Sequence, residues 1–398
     1  MTRNSLVGFI VLFLLASTVF FVAIIPKHGK STAKHSRPLP PLPRDFFDKT
    51  SQTEVRRIAR ERNYDMLIIG SNGPSINGIY FLDGQDGIEF LCQSQKAEQV
   101  ELGIELVHDA QRSSVYAASL LASSHSVEFL QPMIVKHIDD GKSLEIITPL
   151  IQECVARGAN FDGIGSIKTY WELLGAKKNP LAWLPLHRLA IEKLIVFPTY
   201  SRHGSVETSP GTSVSGKLPE QHSDDDAGKP FSAISLPVDS AAVGSCVRMW
   251  KANSNGKLET KLFESSSDIL PGDISRRQLL SLQLECLAGA KPQDVKVEVV
   301  KAEAVFAQLF SAAAMGGAYS HGEKGAYGRL AAWQSLAALA GVGAGGKVDD
   351  ISKVALQSRW WSLSSTSAWF HNIAWDFGIV CLRPDRRHLA VLAATDED

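Results

Sequence analysis

Cysteine, glycosylation signals and excess charge are all scarce in this chain. Its five cysteines are scattered over 398 residues, mostly in apolar surroundings, and no Asn-x-Ser/Thr signal occurs. An odd, dispersed set is neither a disulfide framework nor a zinc site, so we predict no metal ligands. Both absences are typical of a domain kept in a reducing compartment. The formal net charge of −1 argues against a nucleic-acid partner.

Familiar catalytic motifs are missing as well. The sequence contains no G-x-S-x-G elbow and no H-E-x-x-H helix. Residues 341–346 fit G-x-G-x-x-G literally, but a helix pattern precedes them where a strand is needed. Val348 stands where a hydroxyl should hold magnesium, and Asp349 and Asp350 would repel phosphate. We therefore predict no cofactor and keep nucleotide binding only as a third option beside the two functions given below.

The amino terminus contains an uncharged stretch, residues 5–25, which Pro26 follows. As a helix it would span roughly 31 Å, the thickness of a bilayer core. We predict a single transmembrane helix within residues 1–26, with a cleaved signal peptide as the alternative. Only Arg3 precedes the span, whereas four basic residues follow it: Lys27, Lys30, Lys34 and Arg37. The positive-inside rule then predicts a single-pass membrane protein with its carboxy-terminal domain in the cytoplasm.

Residues 27–44 form a basic, proline-rich linker. The run RPLPPLP at 37–43 is similar to a ligand of SH3 domains. In a polyproline helix, Pro40 and Pro43 would lie along one edge, and Arg37 would meet an acidic pocket. The alternative is a stiff spacer without a partner.

Residues 45–398 are predicted to form an α+β domain. Apolar residues recur at helical spacing over about 97–198, which indicates antiparallel helix pairs. A mobile insertion rich in Ser, Gly, Pro and Asp is predicted at about 201–230, before a carboxy-terminal part at about 236–398. Alternation between Trp369 and Cys381, followed by Pro384, predicts a terminal hairpin. The expected fold is thus mainly helical, with a small antiparallel sheet near the C-terminus.

A polar glycine loop joins two alanine-rich helices, predicted at 302–315 and 326–340, with Gly341 as the stop of the second. Tyr319 and Arg329 are its candidate binding residues, the arginine as a holder of an anion. His321 and Glu323 are candidates for acid–base catalysis. The alternative for the histidine is an ordinary polar residue on a surface loop.

The terminal hairpin supplies two further candidates, Trp375 for binding and Asp376 for catalysis. Aspartate is depleted within strands, so Asp376 is unusual there. It would serve as an acid, a base or a ligand carboxylate. The alternative is an acceptor of hydrogen bonds from a neighbouring loop or helix end.

Three stretches together resemble a known family. They are NPLAWLPL at 179–186, GGAYSHGEKGAYGRLAAWQSLAALAG at 316–341 and IAWDFGIVCLRPDRRHLAVLAATDED at 373–398. This family, domain of unknown function 6183, is mostly actinobacterial and has no known activity. The resemblance runs from about residue 97 onward. It implies membership without a substrate, a cofactor or a catalytic residue.

Two functions follow as hypotheses. The first is a membrane-tethered cytosolic domain that works by binding, with the membrane and an SH3-type or other protein as partners. The second is an enzyme with hydrolase-like acid–base chemistry in the loop at 319–329. A pocket that joins His321, Arg329 and Asp376 would favour the enzyme, and a filled junction would favour the binding domain.

Overall fold

The computed structural model describes residues 19–26, 64–71, part of 92–107, 114–141, 145–197, 231–318, 321–343, 345–371 and 375–396. The chain divides into two compact units, Met1–Val107 and His108–Asp398. The predicted proline-rich linker, with Arg37, Pro40 and Pro43, lies outside the described residues, and so does the whole predicted mobile insertion at 201–230.

The first unit corrects the prediction of a transmembrane helix. Strand β1 (Val19–Pro26) covers the end of the predicted span and pairs antiparallel with β2 (Tyr64–Ser71). No helix of the described residues is long and apolar enough to cross a bilayer. The physical reason lies in the composition of VFFVAIIP: its valines, isoleucines and phenylalanines favour strands, and a continuous apolar run does not by itself distinguish strand from helix.

The second unit begins with a helical layer. It consists of α1 (Ser114–Ser124), α2 (Val127–Asp139), α3 (Ile147–Ala156) and α4 (Gly165–Ala176). The side chain of Ser126 starts α2 by accepting a hydrogen bond from the Phe129 N–H. Every residue of α3 is buried, because it packs against α1, α2 and the later helix Lys324–Ala340. Two 3-10 turns follow, at Pro180–Trp183 and Ala190–Glu192.

The sheet is larger than the small C-terminal sheet that the sequence predicts. Six antiparallel strands run in the order β3-β4-β8-β7-β6-β5. They are β3 (Ala233–Leu236), β4 (Lys257–Ser265), β5 (Val295–Val300), β6 (Arg359–Ser365), β7 (Phe377–Leu382) and β8 (His388–Thr395). The β7–β8 hairpin is confirmed, although its first strand begins at Phe377 rather than Trp369, and the alternation at 257–263 also predicts β4 correctly. The other strands pair with segments remote in sequence, and such pairing has no local signal.

Both faces of the sheet centre are covered, which explains the continuous apolar runs of β7 and β8. One face packs on a hydrophobic cluster that includes Phe263, Trp361, Val380 and Leu389. The other face contacts α8 (Ala302–Met315) and α9 (Lys324–Ala340). The remaining helices are α5 (Ser240–Val243), α6 (Arg248–Asn253), α7 (Arg276–Ser281) and α10 (Val348–Gln357), and further 3-10 turns lie at Gly244–Val247, Pro271–Asp273, Glu285–Leu287 and Pro292–Asp294.

The α8–α9 pair forms the centre of the unit, and the structure confirms both of these predicted helices. Small residues let the two backbones approach, and a Cβ on Gly328 would lie 2.9 Å from the Ala314 Cα. Helix α9 ends at Gly341 with φ of 82°, as the glycine stop predicts. Arg383 from the end of β7 then donates to the carbonyls of Ala338 and Leu339, where a cation complements the negative end of the helix dipole.

Candidate functional site

The described part of the connection between α8 and α9, residues 316–318 and 321–323, folds back onto the end of α8. We call it the clamped loop. The Gly322 N–H donates to the Met315 carbonyl at 3.0 Å, and the Glu323 N–H donates to the Ala313 carbonyl at 2.9 Å. A Cβ on Gly322 would lie 2.2 Å from the Ala314 carbonyl oxygen. Glycine is therefore required there by the close approach of two backbone segments.

Asp396, directly after β8, holds the beginning of the clamped loop. It is completely buried, and its Oδ2 accepts a hydrogen bond of 2.7 Å from the Ala318 N–H. A Cβ on Gly317 would lie 1.8 Å from the same oxygen, so only glycine fits beside this carboxylate. Its second oxygen, Oδ1, is buried without a hydrogen-bond partner. Within the described residues, only one oxygen of this carboxylate thus holds the loop by a hydrogen bond.

Glu153 of α3 holds the start of α9, immediately after the clamped loop. Its Oε1 accepts from the Ala326 N–H at 2.9 Å, in the first helical turn, where free N–H groups and the helix dipole favour an anion. The Gly325 backbone is so close that a Cβ would lie 2.4 Å from Oε2. Complete burial raises the pKa of Glu153 to about 7, against the lowering effects of Arg157, the Ala326 and Gly325 N–H groups and Lys324. This carboxyl therefore titrates near neutral pH.

The candidate Glu323 sits in an ion pair with Arg248 of α6. The guanidinium donates from Nε and Nη2 to the two carboxylate oxygens, in the fork geometry that suits arginine and a carboxylate. The glutamate side chain is 7% exposed and that of the arginine 48%. Burial raises the pKa of Glu323, and Arg248 opposes this shift. The pair closes the loop against α6.

The candidate Arg329 lies in the core, where protein acceptors take all of its N–H groups. Nε and Nη2 donate to the carboxylate oxygens of Glu192 at 2.6 and 2.8 Å. Nη1 donates to Gln152 Oε1 and to the Pro185 carbonyl, and Nη2 also donates to the His187 carbonyl. A guanidinium has five N–H groups, so none is left for a bound anion.

Glu192 is equally saturated. Its Oε1 also accepts from Trp333 Nε1 at 3.1 Å, and its Oε2 accepts from the Leu189 N–H at 2.7 Å. Both the glutamate and Arg329 are completely buried. The network ties α9 to α3 and to the segment around residue 187. Its full satisfaction marks it as a structural centre rather than a binding site.

The other candidates lie at different places. His321 is exposed on the clamped loop, and Tyr319 lies outside the described residues. Asp376, just before β7, accepts a hydrogen bond from the Thr395 hydroxyl at 2.5 Å. Trp375 packs edge-on against Trp250, with the ring centroids 6.4 Å apart. The donor lies in strand β8, whereas the alternative interpretation of Asp376 expects a donor from a neighbouring loop or helix end, so that interpretation stays a prediction.

Burial makes four of the five cysteines poor candidates for a reactive thiol. All five are buried, and none forms a disulfide. Burial raises the pKa of Cys154, Cys246 and Cys381 to about 12 and also raises that of Cys286. A thiol that stays protonated is a poor nucleophile and a poor metal ligand. Within the described ranges, no three or more His, Cys, Asp or Glu residues are grouped to hold a metal ion.

Sequence reasoning missed the two carboxylates that hold the clamped loop. Glu153 is 173 residues from its partner Ala326, and Asp396 is 78 residues from Ala318. One signal was available for the glutamate: a charged side chain in the apolar helix ITPLIQECVA requires a buried partner. On the other side of the contact, the glycines at 317, 322, 325 and 328 were a signal that other groups approach this backbone closely.

The fold and the site define an α+β domain in which a glycine-rich loop is held between two buried carboxylates. The family model of a family of unknown function, DUF6183, matches residues 86–398. The chain therefore belongs to this family, as its three motifs indicated. No curated protein and no solved structure matches the chain.

Proposed function

We propose that this domain works by binding a partner through the clamped loop. The observation that carries the proposal is the attachment of the loop by buried carboxylates, Asp396 at Ala318 and Glu153 at Ala326. A loop that is ordered before it meets a partner loses less conformational entropy on binding. Binding residues are commonly found on such loops, which a rigid scaffold positions. The exposed His321 lies between the two attachment points.

The charges around the loop also support binding over catalysis. Glu323 is neutralised by Arg248, Arg329 by Glu192, and Asp376 accepts from Thr395. An acid–base pair would instead need a group that is free to exchange a proton with a substrate. The three side chains have three different partners, so the contacts do not join them into one catalytic group.

Affinity purification with the full chain as bait tests the proposal. We expect a partner that is recovered with the wild-type protein and lost with His321→Ala, because this variant alters only the exposed loop surface. Lys353→Ala is the matched control, since this lysine is 71% exposed on α10 and pairs only locally with Asp350. Equal recovery with both variants would contradict the proposal.

A second candidate function is acid–base catalysis at the start of α9, and one observation favours it. Burial lowers the pKa of Lys324, raises that of Tyr327 and raises that of Glu153 to about 7. Lys324 and Tyr327 lie in the first turn of α9, which Glu153 of α3 contacts, and groups with perturbed pKa values are often found in active sites. Binding remains the proposal we favour, because the Glu153 carboxylate already holds the Ala326 N–H and the Lys324 ammonium lies 5.8 Å from the Tyr116 ring centroid.

The remaining sequence-based expectations stay predictions. The cytosolic location was predicted from the basic residues that follow the apolar stretch and from the scattered cysteines, and the SH3-type partner was predicted from Arg37, Pro40 and Pro43. The membrane as a partner depended on the helix that β1 replaces, so it is not carried forward.

A further inference from the structure

The strand β5 (Val295–Val300) ends the six-stranded sheet. It pairs with β6 on one side, and no other described strand pairs with its outer side. Among the described residues, its outer edge therefore has no strand partner, and such an edge can pair with another chain. The opposite end of the sheet differs, because β3 (Ala233–Leu236) is only four residues long. Such a short edge is one of the ways in which proteins limit edge pairing.

The sequence of β5 is symmetrical about Val297. Val295, Val297 and Val299 alternate with Lys296 and Glu298, so valines and charges point to opposite faces. The first two valines pack in or against the hydrophobic cluster, whereas Val299 is 45% exposed. On the other face, Lys296 Nζ lies 2.9 Å from Glu298 Oε1. Lys296 and Glu298 lie one residue before and one residue after Val297. An antiparallel copy of the strand therefore places a glutamate opposite each lysine.

We propose that β5 is a self-association surface, where a second copy of this chain adds its own β5 in antiparallel orientation. In the expected register, Val297 faces Val297 of the partner subunit. Lys296 then faces Glu298 of the partner subunit, and the exposed Val299 faces Val295 of the partner subunit. Opposite charges and β-branched residues are favourable cross-strand pairs. A two-fold interface of this kind uses the same patch on both subunits and closes as a dimer.

Charge selects this register over its neighbours. A shift that places Lys296 or Glu298 opposite its own copy puts like charges face to face, which is unfavourable. A slip by one residue would place the charges on the face that holds the valines. Only the register centred on Val297 therefore matches both faces. The pairing joins two sheets through a short strand, so we expect a concentration-dependent dimer with a Kd on the order of micromolar.

Charge reversal tests the proposal by sedimentation velocity over a concentration series of the full chain. Lys296→Glu leaves two negative residues on each strand, and Glu298→Lys leaves two positive ones. We expect each variant alone to weaken the dimer at least about tenfold. Mixed in equal amounts, they should form a heterodimer with the wild-type affinity, because every cross-strand pair is again opposite in sign. The double variant should also dimerise.

Restoration by mixing separates the proposal from simple misfolding, because unfolded variants would not recover by pairing with each other. Lys353→Glu on α10 is the matched control and should dimerise as the wild type does. A monomeric wild type at all concentrations would overturn the proposal, and so would single variants that dimerise normally. A dimer that persists in Lys296→Glu but is lost in Ile234→Lys would place the interface at β3 and would also overturn it. The charge-reversal variants could instead lose a different protein partner while no dimer forms at any concentration. In that case a second copy is not the occupant of β5, and the proposal is overturned.

Discussion

Two buried carboxylates that contact α9 are satisfied to different extents. Glu192 receives hydrogen bonds on both oxygens from Arg329, Trp333 and the Leu189 N–H. Glu153 receives one from the Ala326 N–H on Oε1, while its Oε2 lies 3.9 Å from Arg157 Nη2. Burial then raises the pKa of Glu153 to about 7. Both carboxylates are buried, but the number of hydrogen bonds that each accepts sets its role. Glu192 is a fixed structural link, whereas Glu153 holds the start of α9 with a carboxyl group that titrates near neutral pH.

The largest expected effect breaks the saturated network. Glu192→Met leaves the guanidinium of Arg329 buried without its counter-ion, which costs about 3–5 kcal/mol in the free energy of unfolding. Chemical denaturation measures this loss. The double variant Glu192→Met/Arg329→Met removes both charges and should be more stable than the single variant. A loss below about 1 kcal/mol, the range of exposed pairs, would show that the network does not stabilise the fold.

The second prediction concerns the pH dependence that Glu153 introduces. Its pKa rises from 4.5 to about 7 on folding, so the native state holds this proton over a pH range where the unfolded state has released it. The contribution is complete below pH 4.5 and is lost as the pH rises through 7. It amounts to roughly 3 kcal/mol, at 1.36 kcal/mol for each pKa unit.

Denaturation at several pH values checks this contribution through the difference between the wild type and Glu153→Gln. Other carboxyls, such as Asp385 and Glu303, have lowered pKa values and change the stability in the opposite direction. They are present in both proteins, so their effects cancel in the difference and only Glu153 remains. We expect the advantage of the wild type to shrink steadily between pH 4.5 and 7. A difference that does not change with pH would contradict the assignment.

The smallest predicted effect concerns the other end of the clamped loop. Gly317→Ala would place a Cβ 1.8 Å from Asp396 Oδ2 and would displace the carboxylate from the Ala318 N–H. We expect a loss of about 1–3 kcal/mol in the free energy of unfolding, the cost of a buried acceptor without its donor. Thermal or chemical denaturation measures it. Gly343→Ala is the matched control, because nothing lies within 4 Å of the position that its Cβ would take.

A double variant tests whether the effect of Gly317→Ala acts through Asp396. If the alanine acts through the carboxylate, Gly317→Ala should cost less in an Asp396→Ala background than in the wild type. Additive losses from the two substitutions would show that the alanine disturbs the loop by another route. In that case only Glu153 would be shown to hold the clamped loop through a buried carboxylate.

Local patterns determined the parts of the fold that are close in sequence. The α8–α9 pair and the stop at Gly341 followed from helix propensity and glycine conformation, because both depend on neighbours within a few residues. The terminal hairpin followed from alternating apolar residues and a turn sequence, which are also local signals. Its turn is held by Asp385, whose side chain accepts from the backbone N–H groups of Arg387 and His388.

Tertiary structure alone decided the rest. The apolar run at 19–26 is a strand because a partner at 64–71 pairs with it, and the order of the six-stranded sheet depends on contacts between remote segments. The same holds for the site: Arg329 has the same chemistry whether it holds a ligand or Glu192, and only packing decides between them. Side-chain chemistry is written in the sequence, but the choice of partner depends on which distant groups are buried together.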